Sequence, residues 1–123
     1  MTASNIHDKM SSETEGSVCI MSKLEWDEEK NRKNQQKHGI AFETAARIFL
    51  HPYMELWDEI HSGINKYGEW EDRYITLGWV DDVLYVCYTV RDHNHEEYIR
   101  LISARIAEES ERELYFRWIN GQC

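Results

Sequence analysis

Apolar residues recur at helical spacing in two segments of the chain. Around residues 42–50 they stand at positions i, i+3, i+4, i+7 and i+8, which predicts a helix with one buried face. Pro52 ends that helix. The same spacing over residues 107–120 predicts a C-terminal helix that is capped by Gly121. The apolar positions are Phe42, Ala45, Ala46, Phe49 and Leu50 in the first segment, and Ala107, Leu114, Tyr115, Trp118 and Ile119 in the second.

A further helix, over Glu28–His38, is predicted from its ends rather than from apolar residues. Asp27 is a suitable N-cap, acidic residues fill the first turn, and Lys37 and His38 stand in the last turn, which complements the helix dipole. Gly39 stops the helix. Because the segment has almost no apolar residues, we expect it to lie on the surface.

Extended segments lie between the second and the last helix. Short runs rich in β-branched and aromatic residues predict three antiparallel strands, joined by a tight hairpin at Asp81–Asp82 and a longer one over Asp92–Glu97. An edge strand and a flexible loop are expected before them, and a short strand or staple at Leu24–Trp26. The three strands are Glu71–Val80, Val83–Val90 and Tyr98–Ala104, the edge strand is Met54–Ile60, and the loop surrounds His61–Gly63 and Tyr67–Gly68.

The predicted fold class is therefore α+β. It has two N-terminal helices, a small antiparallel sheet of three to four strands and a C-terminal helix, with the helices on one face of the sheet. A chain of 123 residues has room for one domain. Residues 1–22 are polar and without periodicity, which predicts a disordered tail before a domain over residues 23–123. Met21 is an alternative to Met1 as the start.

The formal net charge of −9 is unusual for a protein that handles nucleic acid, which generally carries a basic face. Either the basic residues gather in a local cleft, or phosphate is not the ligand. The predicted strand that contains Arg100 and ends at Arg105 favours the first alternative. A guanidinium is costly to bury unpaired, so Arg100 must reach a carboxylate, the sheet edge or an anionic ligand, and phosphate fits its donor fork best.

Cysteine and histidine spacings indicate neither a metal nor a cofactor. Cys19, Cys87 and Cys123 match no zinc site and no redox pair. With no signal-peptide pattern and no apolar run of membrane length, we expect reduced thiols in a cytoplasmic protein. His93–Asn94–His95 holds the only close histidine pair, and without a third ligand at matching spacing it is expected to be a hairpin loop.

Two separated blocks of the sequence carry a more specific signal. The first comprises Glu25-Trp26-Asp27-Glu28-Glu29-Lys30-Asn31, Lys37-His38-Gly39-Ile40, Phe42-Glu43, Ala45-Ala46 and Phe49. The second comprises Arg73 five residues before Gly78, the Val86–Thr89 strand, Arg100-Leu101-Ile102-Ser103-Ala104-Arg105, Ala107, Glu111-Arg112 and Tyr115. Together they resemble the BrnT family of bacterial type II toxins, over about Leu24 to Tyr115.

This resemblance implies a ribonuclease toxin with a RelE-like fold that arrests growth by cleaving RNA. It also implies that cleavage needs no metal, that a BrnA-like antitoxin neutralises the toxin, and that operator DNA is bound only through the antitoxin complex. RNA cleavage without metal commonly uses the substrate's own 2′-hydroxyl to attack the adjacent phosphate. The protein then has to stabilise charge and transfer protons.

Arginines on the predicted strands are the candidates for charge stabilisation. Arg73, Arg100 and Arg105 converge on one patch if their strands are neighbours. Arg100 and Arg105 have opposite parity in a straight strand, so both face one cleft only if the chain turns near Ser103–Ala104. The alternative is that Arg100 and Arg105 pair with acids such as Glu111 and hold the last helix to the sheet.

Proton transfer and RNA contact have their own candidates. Histidine is the side chain that ordinarily titrates near neutral pH, so His38 and His61 are candidate general acids or bases, although His38 also suits a helix C-terminus. Basic residues of the first helix offer contacts to the RNA backbone, although a solvated helix face is the alternative. Tyrosines can stack on a base, although they also suit the core. The candidates for RNA binding are Lys33, Lys37, Tyr88 and Tyr115.

Two other functions compete with this interpretation. The negative charge and aromatic residues such as Trp57, Trp70 and Trp79 also suit a non-catalytic module that binds a partner protein. A small DNA-binding regulator is the third possibility, and it requires operator binding by this chain alone.

Overall fold

The computed structural model describes residues 23–121. The predicted tail over residues 1–22 lies outside the described residues. The helices are α1 (Glu28–His38), α2 (Phe42–Ala45), a 3₁₀ helix (Ala46–Leu50) and α3 (Glu109–Asn120). The strands are β1 (Leu24–Glu25), β2 (Tyr53–Trp57), β3 (Gly63–Ile64), β4 (Trp70–Glu71), β5 (Arg73–Trp79), β6 (Val83–His93) and β7 (Glu96–Ile106).

A five-stranded sheet in the order β1-β7-β6-β5-β2 organises the fold. Its centre is the predicted antiparallel meander of β5, β6 and β7, and β2 is the predicted edge strand. The opposite edge is β1, which runs parallel to β7 with Leu24 opposite Ile99. The sheet thus has five strands, whereas three to four were predicted. The additional strand is the short β1, whose two residues both pair with β7.

The helices cover both faces of the sheet, so the prediction that they lie on one face is wrong. Leu84, Val86 and Tyr88 of β6 pack with α2 and the 3₁₀ helix in one core cluster. Val83 packs with Tyr115 of α3 in a second cluster. Since neighbouring residues of a strand point to opposite faces, these clusters lie on opposite sides of β6. Helical spacing identifies the buried side of a helix but not the sheet face that receives it.

α1 has the predicted bounds and the predicted caps. The Asp27 carboxylate accepts hydrogen bonds from the Glu29 and Lys30 backbone N–H groups, and these bonds lower the pKa of Asp27. Gly39 ends the helix in the left-handed conformation, at φ 75°. The expected surface position is only half correct, because Asn31 and Asn34 are buried.

Asn34 attaches α1 to the sheet through its amide. The side chain donates to the carbonyls of Ile40 and Ala104, both at 2.9 Å, and accepts from the Ala104 N–H at 3.1 Å. The two residues of β1 pair with Ile99 and Arg100 of β7. Asn34 therefore satisfies backbone groups of Ala104 on a part of β7 that β1 does not cover.

The second predicted helix is divided into α2 and the 3₁₀ helix. Ile48 of the 3₁₀ helix packs directly on the backbone of β5. A Cβ atom added to Gly78 would stand 2.4 Å from Ile48 Cγ1, so only glycine fits at that position.

Two segments that were expected to be loops are more regular than predicted. The predicted long turn over Asp92–Glu97 is a two-residue turn at Asn94 and His95, which have φ of 54° and 70°. β6 and β7 extend through the polar residues on either side of it. The predicted flexible loop around His61 and Tyr67 contains a separate β3–β4 hairpin.

Cys87 is a free, buried cysteine of β6. Burial raises the pKa of its thiol to about 11, although the nearby Arg73 opposes the shift. The other two cysteines lie outside the described residues. Among residues 23–121 there is no helix both long and apolar enough to cross a membrane.

Candidate active site

A cleft of about 540 Å³ opens on the face of the sheet that α3 covers only in part. Its floor comes from the ends of β5, β6 and β7 that lie away from α3. One wall is the N-terminal turn of α1, and the other is the segment over residues 61–67. The charged lining residues are Asp27, Lys30, Lys66, Glu71, Arg73, Arg91 and Arg100, accompanied by His61.

A β-bulge in β7 puts Arg100 and Arg105 on the same face of the sheet. Leu101 lies opposite Tyr88, but Ser103 lies opposite Cys87, so Ile102 is an extra residue without its own partner. The bulge reverses the parity of the strand beyond it. The change of parity was expected from a turn near Ser103–Ala104, and the bulge at Ile102 produces it instead.

Arg105 nevertheless lies outside the cleft. Its guanidinium makes two hydrogen bonds with the Glu111 carboxylate, at 2.9 and 3.0 Å, and stacks over the Tyr85 ring at 3.8 Å. Glu111 also accepts from the backbone N–H of Glu108 at the start of α3. These contacts agree with the alternative in which Arg105 holds the last helix to the sheet.

Carboxylates hold the three arginines of the cleft in position. Glu71 is bound by both Arg73, at 3.3 Å, and Arg91, at 2.9 Å. Arg100 lies 3.3 Å from Glu25. Glu71 is only 10% exposed, so its two partners are well fixed.

The cleft concentrates positive charge in an acidic protein. Five of its lining residues are Lys or Arg and two are Asp or Glu, a surplus of three positive charges, whereas the whole chain carries −9. Arg73 also has a buried Nε without a hydrogen-bond partner among the described residues. The charge distribution is the one expected if basic residues gather in a local cleft.

His61 forms a hydrogen-bonded pair with Asp58 at the edge of this cleft. The distance from His61 Nδ1 to Asp58 Oδ2 is 2.8 Å. Asp58 is buried, whereas the imidazole is 64% exposed. With Nδ1 bound to the carboxylate, Nε2 is the ring nitrogen that remains for a ligand.

The environment of Asp58 keeps its carboxyl ionised. Burial alone would raise the pKa of Asp58, but hydrogen bonds from the His61 ring and from the His61 and Ile60 backbone N–H groups outweigh it and lower that pKa. An ionised carboxylate only accepts hydrogen bonds, so His61 Nδ1 must be the donor. His61 Nε2 is then unprotonated in the neutral ring and can accept a proton.

Two hydrogen bonds join the residues on either side of His61 to the backbone of Arg73. The Asp58 N–H donates to the Arg73 carbonyl at 2.7 Å, and the Arg73 N–H donates to Ser62 Oγ at 2.8 Å. His61 and Arg73 are thereby positioned by one local network. Asp58 was not among the predicted site residues, because its segment was predicted to be an edge strand. The signal for it is an aspartate three residues before a histidine, a spacing that suits a side chain bonding to the backbone of the next turn.

The remaining candidates do not line the cleft. Lys37 and His38 stand in the last turn of α1, about two turns from Lys30. Lys33 stands between Lys30 and Lys37 on the same helix. Tyr88 is buried against Phe49 and Tyr74 on the opposite face of the sheet. Tyr115 is buried on the inner side of α3 and donates from its hydroxyl to the Pro52 carbonyl at 3.2 Å. The cleft instead contains Arg91 and Lys66, which the sequence analysis did not select.

The chain matches the model of a known protein family. Residues 26–111 match the family described as "Ribonuclease toxin, BrnT, of type II toxin-antitoxin system", and this range includes every residue that lines the cleft. No curated protein shows a significant match to the chain. A type II system pairs its toxin with an antitoxin protein, so the family implies such a partner. The chain belongs to the BrnT family of ribonuclease toxins of type II toxin–antitoxin systems.

Proposed function

We propose that this chain is a metal-independent endoribonuclease whose active site is the cleft with His61, Arg73 and Arg100. The observation that carries this proposal is the Asp58–His61 pair at the edge of a cationic cleft. A proton acceptor and fixed cations within one cleft are the two requirements for RNA cleavage by the 2′-hydroxyl. The proposed site leaves out the predicted residues that lie outside the cleft, namely Arg105, His38, Lys33, Lys37, Tyr88 and Tyr115.

In the proposed reaction His61 Nε2 accepts the proton of the 2′-hydroxyl, and the 2′-oxygen attacks the adjacent phosphorus. The bond from phosphorus to the 5′-oxygen breaks, and that oxygen takes a proton from water in the open cleft. His61 then returns its proton to the solvent. Arg73 and Arg100 stabilise the additional negative charge on the phosphate oxygens. The products are a 2′,3′-cyclic phosphate and a 5′-hydroxyl.

The proposal extends to the partner and the fold family. A BrnA-like antitoxin would neutralise the toxin by covering this cleft, and operator DNA would be bound only by the complex of the two. We also propose that the domain is RelE-like, which the helices and the antiparallel centre of the sheet support.

The test is cleavage of end-labelled RNA by the purified full chain in EDTA, under single-turnover conditions. We expect His61→Ala to slow cleavage by about 10²-fold or more, the usual contribution of a general base. His51→Ala is the matched control, because His51 is exposed and lies outside the cleft. It should cleave at the native rate. Mass spectrometry of the products should find the cyclic phosphate.

Two outcomes would contradict the proposal. If folded His61→Ala cleaves as fast as the native chain, His61 is not the base. If the native, folded chain leaves RNA intact, the alternative of a non-catalytic interaction module replaces the enzyme.

A further inference from the structure

The wall of the cleft formed by residues 61–67, together with the adjoining Ile60, exposes large apolar side chains. Ile60 is 85% exposed, Ile64 67% and Tyr67 69%. Ile64 and Tyr67 line the cleft, and Ile60 directly precedes His61. Apolar groups at the edge of a cationic cleft fit a ligand that combines phosphates with flat apolar rings.

The β3–β4 turn holds Tyr67 in a defined place. The Asn65 side-chain oxygen accepts from the Tyr67 N–H at 2.8 Å and from the Glu69 N–H at 3.1 Å. The Gly68 N–H donates to the Asn65 carbonyl at 3.0 Å, and Gly68 has the positive φ of 82° that this turn requires. The turn is fixed, while the ring that it presents is exposed.

A lysine already approaches the Tyr67 ring. Lys66 Nζ lies 5.3 Å from the ring centroid, within the range of a cation–π contact. Both residues line the cleft. An RNA strand bound there would meet a cation for its phosphate and an aromatic surface for its base at adjacent positions.

We infer that Tyr67 stacks on an unpaired base next to the phosphate that the cleft binds, so that the substrate class is single-stranded RNA. This inference rests on the proposed function, since it places RNA in the same cleft. It gives Tyr67 the stacking role that the sequence analysis assigned to Tyr88 and Tyr115, which are buried. A base in a duplex is already stacked on its neighbours and offers no free face to the ring.

The charge of the cleft favours a nucleic acid over a protein as the occupant. Lys30, Arg91 and Arg100 lie in the same cleft as Tyr67, and the surplus of three positive charges suits a phosphate backbone.

The experiment measures binding rather than cleavage, in a His61→Ala background that keeps the full chain. The probes are a 10-nucleotide RNA with 2-aminopurine at its centre and the same RNA in a duplex. Tyr67→Leu should weaken single-strand binding about 10-fold and abolish the quenching of 2-aminopurine, while Tyr67→Trp should preserve both. Trp79→Leu is the control, because Trp79 is an exposed aromatic residue at the opposite end of β5 from Arg73. Duplex binding should not change in any variant.

Equal single-strand affinity of Tyr67→Leu and its parent would overturn the inference and leave the proposed function intact if the native chain cleaves RNA. Absence of RNA binding by the parent would overturn both. Loss of antitoxin binding by Tyr67→Leu at unchanged RNA affinity would make Tyr67 a protein contact and would also overturn the inference.

Discussion

At the scale of single residues, Asp58 determines which nitrogen of His61 carries the proton. We predict that Asp58→Asn keeps the fold but slows RNA cleavage by about 10²-fold or more. The new amide presents N–H donors to Nδ1, which would then accept, so Nε2 would carry the proton and could not act as the proposed base. Single-turnover cleavage measures the loss. A near-native rate for the folded variant would contradict this role of Asp58.

The same residue gives a pH dependence of stability. Its pKa in the folded protein is below the ordinary value of 3.8, so its contribution to stability is complete above about pH 4 and is lost as the pH falls through the lowered pKa. The amide introduced by Asp58→Asn does not titrate. We therefore expect the difference in the free energy of unfolding between the native chain and Asp58→Asn to shrink as the pH falls from about pH 5 to below pH 4. Urea unfolding of both chains across this range tests the prediction. A difference in the free energy of unfolding that does not change with pH would contradict it.

Some residues of the candidate site could be selected from the sequence because the chemistry of their side chains indicates a ligand. A guanidinium within a strand needs an anionic partner, and this requirement makes Arg73 and Arg100 candidates from the sequence alone. Tyr67 had no such signal, and an aspartate three residues before a histidine indicates only a local turn. An aspartate near a loop usually has solvent around it, and only the fold buries Asp58 beside His61. The parity of Arg100 and Arg105 depended on a bulge at Ile102, which alternation of apolar residues does not reveal.

At the scale of elements, α1 depends on amide hydrogen bonds where other helices depend on apolar packing. Asn34→Ala should lower the free energy of unfolding by about 2–4 kcal/mol, since it removes three hydrogen bonds and leaves buried backbone groups of Ala104 without a partner. Gln36→Ala is the control on the same helix. Gln36 is exposed, so that variant should stay within about 0.5 kcal/mol of the native value. Urea unfolding compares the two, and a similarly small effect of Asn34→Ala would show that α1 is held in another way.

The elements themselves were largely predictable, but their arrangement was not. Caps at Asp27 and Gly39 fixed the ends of α1, and apolar runs located β5, β6 and β7. Apolar periodicity could not detect the inner side of α1, because Asn31 and Asn34 form it. It also could not place α3 on the opposite face of the sheet from α2, because the central strand β6 is apolar on both faces.

At the scale of the whole molecule, the acidic surface and the cationic cleft have separate roles. The net charge of −9 repels nucleic acid over most of the surface, whereas the cleft carries a local surplus of three positive charges. Its three arginines are held by Glu71 and Glu25. The lysines at its edges can therefore be substituted with less effect on the structure of the cleft. Affinity for RNA should therefore depend on where a charge lies, and not on the total.

The salt dependence of RNA binding shows whether affinity depends on the position of a charge or on the total charge of the protein. For single-stranded RNA and the His61→Ala chain, about three neutralised phosphates predict a slope of about −2 in a plot of log affinity against log salt concentration. Lys66→Ala should make that slope shallower by about 0.7. Arg117→Ala removes the same charge from an exposed position of α3 outside the cleft, so it should leave the slope unchanged. Both variants have a net charge of −10, one less than −9. Equal slopes for the two would mean that RNA responds to the overall charge and does not bind in the cleft.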